Sequence, residues 1–269
     1  MKPASFEYER PTSISDAITL LTDAGAQAKV IAGGQSLGPM MNMRLARPGL
    51  LVDITQIPEL TQVTDSGDHL VFGACITHAA IEDGRVDDAT NNMMPTVAAG
   101  IAYRAVRNRG TIGGSLVHAD PAADWITTLT LFGAEIEAIG PKGTRRIALE
   151  AFMNSAFDIT LKDDEILTTI HVPKFSSDAQ WGYYKFCRKT GEFADGMSAV
   201  LIDRERNINR IVIGATDTRP IVIADAAELI ANPGLATKTI GKNEITNEKY
   251  LEKIHSVCLK RAIERAKAS

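Results

Sequence analysis

At 269 residues the chain is long enough for one large domain or two of ordinary size, and it can bury a sizeable core. Apolar residues make up 45% and charged residues 23%, as in a typical soluble globular protein, and the net charge of −4 without a basic stripe disfavours nucleic acid as a partner. No apolar run approaches the roughly 20 residues of a membrane span, and residues 1–10 lack the apolar core of a signal peptide, so we expect a cytoplasmic protein.

Residues 1–56 predict a small α/β unit. Its predicted elements are, in chain order, an edge strand at 6–11 ended by a proline, a helix at 14–24, and strands at 29–32 and 50–54. A serine at position 13 or 15 is expected to cap the helix, and Gly25 follows it in the usual C-terminal position. A glycine pair at 33–34 comes directly after the second strand, and strand ends are common ligand sites in α/β proteins.

Residues 57–175 predict a second segment of strands and helices. We predict strands at 69–74, 134–139 and 165–172, helices at 77–84, 97–106 and 125–132, and a turn at 141–144. The first of these helices would carry His78 and Glu82 on its surface. The second leads into another glycine pair, at 113–114.

A change of composition at 173–178 predicts a domain boundary. After it we predict strands at 183–188, 199–204 and 208–215, and helices at 224–231 and 249–268. The chain is therefore expected to divide into residues 1–175, with parts at about 1–56 and 57–175, and a small α+β domain at 176–269.

The two glycine pairs predict a ligand with negative charge. Without a Cβ atom, glycine lets backbone N–H groups approach a ligand, and successive N–H groups in such a turn form a concave anion site. Two such turns could hold both halves of a pyrophosphate, which favours a dinucleotide. Neither pair fits the nicotinamide fingerprint or the P-loop, and each pair taken alone is equally consistent with a simple tight turn.

Two aspartates follow the second pair, in Ala119-Asp120-Pro121-Ala122-Ala123-Asp124. We expect Asp120 to cap the helix that follows, with Pro121 at its first position. Asp124 lies one turn further along. There it can either accept hydrogen bonds from sugar or ribityl hydroxyl groups or stabilise the helix N-terminus through the macrodipole.

The cysteines and histidines do not predict a metal site. Cys75, Cys187 and Cys258 lie far apart without a CxxC pair, and the five histidines have no metal-ligand spacing. Neither a zinc ion nor an iron–sulfur cluster held by this chain alone is expected. The cysteines are interpreted as free thiols.

The three motifs taken together resemble a known family. They are Ala32-Gly33-Gly34-Gln35-Ser36-Leu37, Arg109-Gly110-Thr111-Ile112-Gly113-Gly114-Ser115-Leu116 and the Ala119 to Asp124 segment. In this order they resemble the FAD-binding medium subunit of molybdenum hydroxylases, the carbon monoxide dehydrogenase and xanthine dehydrogenase family. The resemblance continues through Val52-Asp53-Ile54 and Gly182-Tyr183-Tyr184-Lys185-Phe186, and so covers the whole chain.

This resemblance implies an α+β fold. A two-part FAD-binding domain of the PCMH type, like that of vanillyl-alcohol oxidase, would be followed by the small C-terminal domain of carbon monoxide dehydrogenase flavoproteins. The implied FAD contacts from the first segment are Lys29, Val30, Ile31, Ala32, Gly33, Gly34, Gln35, Ser36 and Leu37. Those from the rest of the chain are Ile101, Ala102, Thr111, Gly114, Ser115, Asp124, Leu167, Lys185 and Phe193.

Within that set the roles differ. The first loop would hold the pyrophosphate and run beneath the flavin. The other side of the pyrophosphate would be held by Thr111, Gly114 and Ser115. Ser115 stands where the family often has asparagine; serine keeps a donor and an acceptor, so binding is expected to survive. Ile101 and Ala102 would lie in a helical stretch near the adenine. Asp124 would lie at the ribityl or ribose group, and the residues near the isoalloxazine ring would be Leu167, Lys185 and Phe193.

Lys185 and Phe193 each have a second interpretation. A cation at the N1–C2=O edge would stabilise the reduced, anionic flavin, but a lysine in a strand can equally point to solvent. Phe193 could cover one face of the ring, or it could belong to the ordinary core.

The resemblance implies an electron-transfer subunit with no catalytic residue of its own. Its partners would be a large subunit with the molybdopterin cofactor and a small subunit with 2Fe–2S clusters, assembled as a dimer of heterotrimers. This FAD would pass the electrons to an external acceptor. The cysteine count argues against the aromatic-CoA-reductase branch, which holds a cluster in this subunit. Two alternatives remain: a self-contained FAD-dependent oxidoreductase, and a non-catalytic scaffold subunit that has lost FAD.

Overall fold

The computed structural model describes residues 2–243, 245–246 and 248–269, and within them the chain forms fourteen strands and ten α-helices. The strands are β1 (Glu7–Glu9), β2 (Ala28–Ile31), β3 (Leu50–Asp53), β4 (Val63–Asp65), β5 (His69–Gly73), β6 (Glu135–Gly140), β7 (Gly143–Ala148), β8 (Met153–Ser155), β9 (Asp158–Ile159), β10 (Ile166–Pro173), β11 (Gln180–Phe186), β12 (Gly196–Asp203), β13 (Ile208–Gly214) and β14 (Ile221–Ile223). The helices are α1 (Ile14–Ala24), α2 (Leu37–Asn42), α3 (His78–Glu82), α4 (Met93–Ala99), α5 (Arg104–Arg107), α6 (Ile112–His118), α7 (Asp124–Phe132), α8 (Ala227–Ala231), α9 (Ala236–Lys242) and α10 (Lys249–Ala268).

The first part of the chain is a parallel sheet in the order β1-β3-β2, with α1 packed on it. The helix begins where predicted, because the Ser13 side chain accepts the N–H group of Asp16, and it ends at Gly25, whose φ is 55°. Since the strands are parallel, their carboxyl ends lie at one edge of the sheet. The chain leaves β2 at that edge and enters the first glycine pair.

The middle part is an antiparallel sheet in the order β4-β5-β10-β6-β7, covered by the helices α3 to α7. Its core contains Phe72, Trp125, Phe132 and Phe152, all almost fully buried. The predicted helix at 97–106 is wrong, because α4 ends at Ala99 and α5 begins only at Arg104.

Two predictions about side chains in this part are also wrong. His78 does not lie on the surface: it is 5% exposed, because the indole of Trp125 covers it and donates a hydrogen bond to it. Asp120 does not cap α7: its carboxylate accepts the N–H group of Ala122 in a local turn, and the helix begins at Asp124.

The last part is an antiparallel sheet in the order β11-β12-β13-β14, packed on both faces. One face, with Met197 and Val212, shares the core of the middle part, and the other packs on α10. The approach of α10 is so close that a Cβ atom at Gly182 would collide with the carbonyl oxygen of Ala262. Strand β14 and helix α9 were not predicted. The boundary after residue 175 stays a prediction.

Within the described residues, no helix combines the length and the apolar character that crossing a membrane requires. The same residues contain no group of three or more His, Cys, Asp or Glu side chains placed to hold a metal ion.

Candidate functional site

The two glycine pairs lie against each other. A Cβ atom at Gly33 would collide with the carbonyl oxygen of Arg109 and would lie 2.9 Å from the Cα atom of Gly110. The loop after β2 therefore touches the segment that leads into α6, backbone to backbone. Only glycine permits this approach, so the first residue of the first pair joins the two motifs.

The first loop presents unused donors. Gly34 has a φ of +69°, in the left-handed region that favours glycine. Among the described residues, no acceptor takes the N–H groups of residues 34–37, and Ser36 provides no side-chain cap to α2. Successive free N–H groups of this kind form an anion site. A pyrophosphate fits the donor set of this loop.

The second loop has already used its donors. Residues 112–115 form the first turn of α6, and their N–H groups are bonded in order to Ile76 O, Ala74 O, Thr111 Oγ1 and Thr111 O at 2.9–3.1 Å. A Cβ atom at Gly113 would lie 2.6 Å from the Cβ atom of Ala74. The second pair therefore allows α6 to pack closely on the sheet. What it offers a ligand is the exposed backbone of Gly114 and the half-buried hydroxyl group of Ser115. Thr111 is 4% exposed and its hydroxyl oxygen accepts the Gly114 N–H group, which leaves only the hydroxyl proton for a ligand.

Asp124 and Lys185 form a buried ion pair. The Lys185 Nζ lies 2.7 Å from Asp124 Oδ1 and donates a second bond of 2.7 Å to the carbonyl oxygen of Gly100. Tyr183 donates its hydroxyl proton to the same Asp124 oxygen at 2.6 Å, and burial together with this carboxylate raises the pKa of Tyr183 well above its ordinary value. The interpretation of Lys185 as a lysine that points to solvent is wrong, because its side chain is 15% exposed.

Three further predicted contacts lie in a turn and in a loop that contact each other. Ile101 and Ala102 lie in the turn between α4 and α5, and not in a helix. Phe193 is 66% exposed in the loop between β11 and β12, so the interpretation as a core residue is wrong. That loop lies against the turn, since a Cβ atom at Gly191 would lie 2.8 Å from the ring of Tyr103.

Two predicted contacts lie apart from these groups. Lys29 is in β2 and pairs with Asp163, with 3.6 Å between the Lys29 Nζ and the carboxylate. Leu167 is in β10 and is 3% exposed within the core of the middle part. The structure thus brings together the two loops, and separately the 101–102 turn, Asp124, Lys185 and the Phe193 loop.

A buried histidine supports the second loop from behind. The Trp125 Nε1 donates to His78 Nδ1 at 3.0 Å, so the neutral ring carries its proton on Nε2. Burial, aided by the nearby charge of Arg107, lowers the pKa of His78 to about 4. The ring packs on Gly110, where a Cβ atom would lie 2.9 Å from it, and the backbone N–H group of His78 donates to Gly110 O. The sequence carried no signal for this contact, since Trp125 lies 47 residues away.

Comparison with known proteins identifies the class. Residues 4–175 match the family model described as FAD binding domain in molybdopterin dehydrogenase. The chain is 35% identical over 225 residues to caffeine dehydrogenase subunit beta of Pseudomonas sp. (strain CBB1), covering 82% of this chain and 76% of that protein. It is 31% identical to the carbon monoxide dehydrogenase medium chain of Afipia carboxidovorans, covering 100% of this chain and 99% of the other.

The solved structures agree. The chain superposes on carbon monoxide dehydrogenase from Hydrogenophaga pseudoflava with a TM-score of 0.91 at 30% identity, covering 100% of this chain and 99% of that chain. The protein is therefore an FAD-binding oxidoreductase component of the α+β type, and the predicted fold class and cofactor are confirmed. It belongs to the family of FAD-binding domains of molybdopterin dehydrogenases.

Proposed function

We propose that this chain is the electron-transfer subunit of a molybdenum hydroxylase, receiving electrons from iron–sulfur clusters and passing them to an external acceptor. FAD, when bound, supplies a centre that accepts and releases electrons. Two relatives support this assignment: one is named as the beta subunit of a caffeine dehydrogenase, and the other as the medium chain of a carbon monoxide dehydrogenase. The partners would be a molybdopterin-binding large subunit and a 2Fe–2S small subunit, in a cytoplasmic dimer of heterotrimers.

The observation that carries the proposal is the run of N–H groups at residues 34–37, which find no acceptor among the residues that the structure describes, beside the exposed backbone of Gly114. These groups would bind the pyrophosphate oxygens, and the hydroxyl groups of Thr111 and Ser115 would bind from the opposite side. Neutral donors of this kind hold an anion without an added lysine. The residues before this loop, from Lys29 to Gly33, would hold it in position.

The second group of residues would contact FAD beyond the pyrophosphate. The sequence predicts Ile101 and Ala102 at the adenine end, but their turn is bonded to Lys185 and lies against the Phe193 loop, which favours a place for it at the isoalloxazine end. Asp124 would accept from a ribose or ribityl hydroxyl, and Phe193, on its exposed loop, would cover one face of the ring. Asp124 already neutralises Lys185, so the flavin would experience the charges of the lysine and of the carboxylate together.

The test is to purify the chain alone and together with the products of the neighbouring genes. We expect a yellow protein with one FAD per chain, whose flavin is reduced by the organic substrate only when the partner subunits are present. Reduction of the isolated chain by its own organic substrate would favour the self-contained oxidoreductase. A colourless chain without affinity for FAD would favour the scaffold subunit.

A further inference from the structure

The side chain of Asp124 receives its hydrogen bonds on one oxygen. Among the described residues, Tyr183 donates its hydroxyl proton to Asp124 Oδ1 at 2.6 Å, and the Lys185 Nζ donates to the same atom at 2.7 Å. A carboxylate oxygen has two lone pairs, so these two donors use the full capacity of Oδ1. Any further donor must therefore bind Oδ2.

The second oxygen, Oδ2, remains available. No donor within the described residues reaches it, and it is not one of the fully buried polar atoms that lack a partner, so it keeps contact with solvent. The Asp124 side chain as a whole is only 9% exposed. Such a carboxylate offers a free acceptor to a ligand hydroxyl group at a place where little water competes and where hydrogen bonds are strong.

The order of residues in β11 explains how two donors reach one oxygen. Successive side chains of a strand point to opposite faces, so Tyr183 and Lys185 share the face toward α7, and Tyr184 lies on the face toward α10. The Tyr183 hydroxyl has only one other neighbour that could accept its proton, the sulfur of Met197 at 3.8 Å, which is a weak acceptor. The phenol and the carboxylate therefore fix each other's orientation.

We propose that Tyr183 is a positioning residue for FAD: by occupying Oδ1 together with Lys185, it holds the Asp124 carboxylate with Oδ2 open to a ribityl hydroxyl group. This rests on the proposed function, in which Asp124 accepts from a sugar hydroxyl. The ribityl chain is favoured over the ribose because it is attached to the isoalloxazine ring, and Lys185, which binds Asp124, belongs to that end of the cofactor. Tyr183 acts only through Asp124.

The test compares three ligands on the deflavinated full-length chain with Tyr183→Phe, which removes the hydroxyl group and keeps the ring. The carboxylate is then held by Lys185 alone, and FAD should bind about tenfold more weakly, the equivalent of one lost hydrogen bond. FMN keeps the ribityl chain and should lose affinity by the same factor. ADP has the ribose but no ribityl chain and should lose less than about twofold. Quenching of flavin fluorescence gives the flavin dissociation constants, and competition with FAD gives that of ADP.

Tyr184→Phe is the matched control. The Tyr184 hydroxyl accepts a hydrogen bond from Arg261, and the guanidinium groups of Arg261 and Arg265 lie 4.9 and 4.7 Å from the centre of its ring. These contacts are with α10, on the face of the strand opposite Asp124. Tyr184→Phe should therefore leave all three affinities unchanged.

A double-mutant cycle separates positioning from a general structural role. In an Asp124→Ala background no carboxylate remains to be oriented, so adding Tyr183→Phe should change the FAD affinity by less than about twofold. If Asp124→Ala does not fold, the comparison of FAD with ADP in the single variant decides alone.

An unchanged FAD affinity in Tyr183→Phe, equal losses for FAD and ADP, or the same loss with and without Asp124 would overturn the positioning role and leave the proposed function intact. A wild-type chain that binds no FAD would overturn both.

Discussion

The two glycine pairs look alike in the sequence and do different work in the structure. Within the part of the chain that the structure describes, the N–H groups of residues 34–37 have no acceptor, whereas residues 112–115 bond every one of theirs to the protein. In the first pair, glycine supplies a left-handed turn that exposes donors. In the second it supplies room for α6 to approach Ala74. Gly33 of the first pair also allows close packing, against Arg109, so the two pairs differ in the free donors that follow Gly33 and not in packing.

The largest effect should come from adding a methyl group to the second pair. Gly113→Ala would place a Cβ atom 2.6 Å from that of Ala74, and should lower the free energy of unfolding by about 3 kcal/mol. Urea unfolding measures it. Gly38→Ala is the control, because a Cβ atom there meets nothing within 4 Å, and it should be neutral or stabilising. A Gly113→Ala protein as stable as the wild type would remove the packing role of this pair.

A pH titration tests the support behind the second loop. Burial depresses the pKa of His78 from 6.5 to about 4, so the folded state prefers the neutral ring. The contribution of His78 to the free energy of unfolding is complete above pH 6.5 and decreases as the pH falls. The loss reaches about 3 kcal/mol near pH 4. His78→Gln, which can still accept from Trp125, should show a shallower loss.

Urea unfolding of both proteins between neutral pH and about pH 4 gives the comparison. Carboxylates such as Glu82, whose stabilising effect is lost in acid, are present in both proteins. The difference between the two pH curves therefore comes from His78. Parallel curves would mean that this histidine is not buried in its neutral form.

Changing Gly34, the second residue of the first pair, should weaken ligand binding. Gly34→Val places a β-branched residue at a φ of +69° and beside the free N–H groups, and should weaken FAD binding at least about a hundredfold. The flavin absorbance of the purified protein measures the amount of FAD bound per chain. The Gly38→Ala protein again serves as control, and a Gly34→Val protein with a full complement of FAD would place the pyrophosphate elsewhere.

The smallest effect should come from Ser115→Asn. Ser115 is half-buried on α6 and the neighbouring N–H groups are already bonded, so only the side chain can reach a ligand. Asparagine, like serine, offers a donor and an acceptor, and FAD affinity should change by less than about threefold. A large change, measured by fluorescence quenching, would make the second loop a primary phosphate contact.

Local signals predicted much of the fold. Ser13 and Gly25 mark the two ends of α1, and the parallel strands before and after the first glycine pair were predicted within one residue. The break between α4 and α5 was missed although Gly100, a common type of residue at helix ends, directly follows α4. The left-handed conformation of Ala102 carries no local signal and is accompanied by a hydrogen bond from Arg107 to its carbonyl oxygen.

The site was harder to predict where it depends on distant partners. The donors of the second pair are taken by Ala74 and Ile76, which lie on a separate segment of the chain. The pairing of Lys185 with Asp124 joins residues 61 positions apart, and no spacing rule indicates it. The order of the motifs therefore predicted which family the chain belongs to, but not which backbone groups remain free.

The bond from Lys185 to Gly100 has a consequence for biosynthesis. Asp124 and the 100–103 turn are synthesised before the strand β11 that supplies their cation. Until β11 leaves the ribosome and docks, the carboxylate lacks its lysine and the Gly100 carbonyl its donor. A nascent chain therefore cannot form this ion pair before β11 is synthesised, and if Asp124 contacts FAD as proposed, we expect the cofactor to be loaded after the C-terminal sheet has docked.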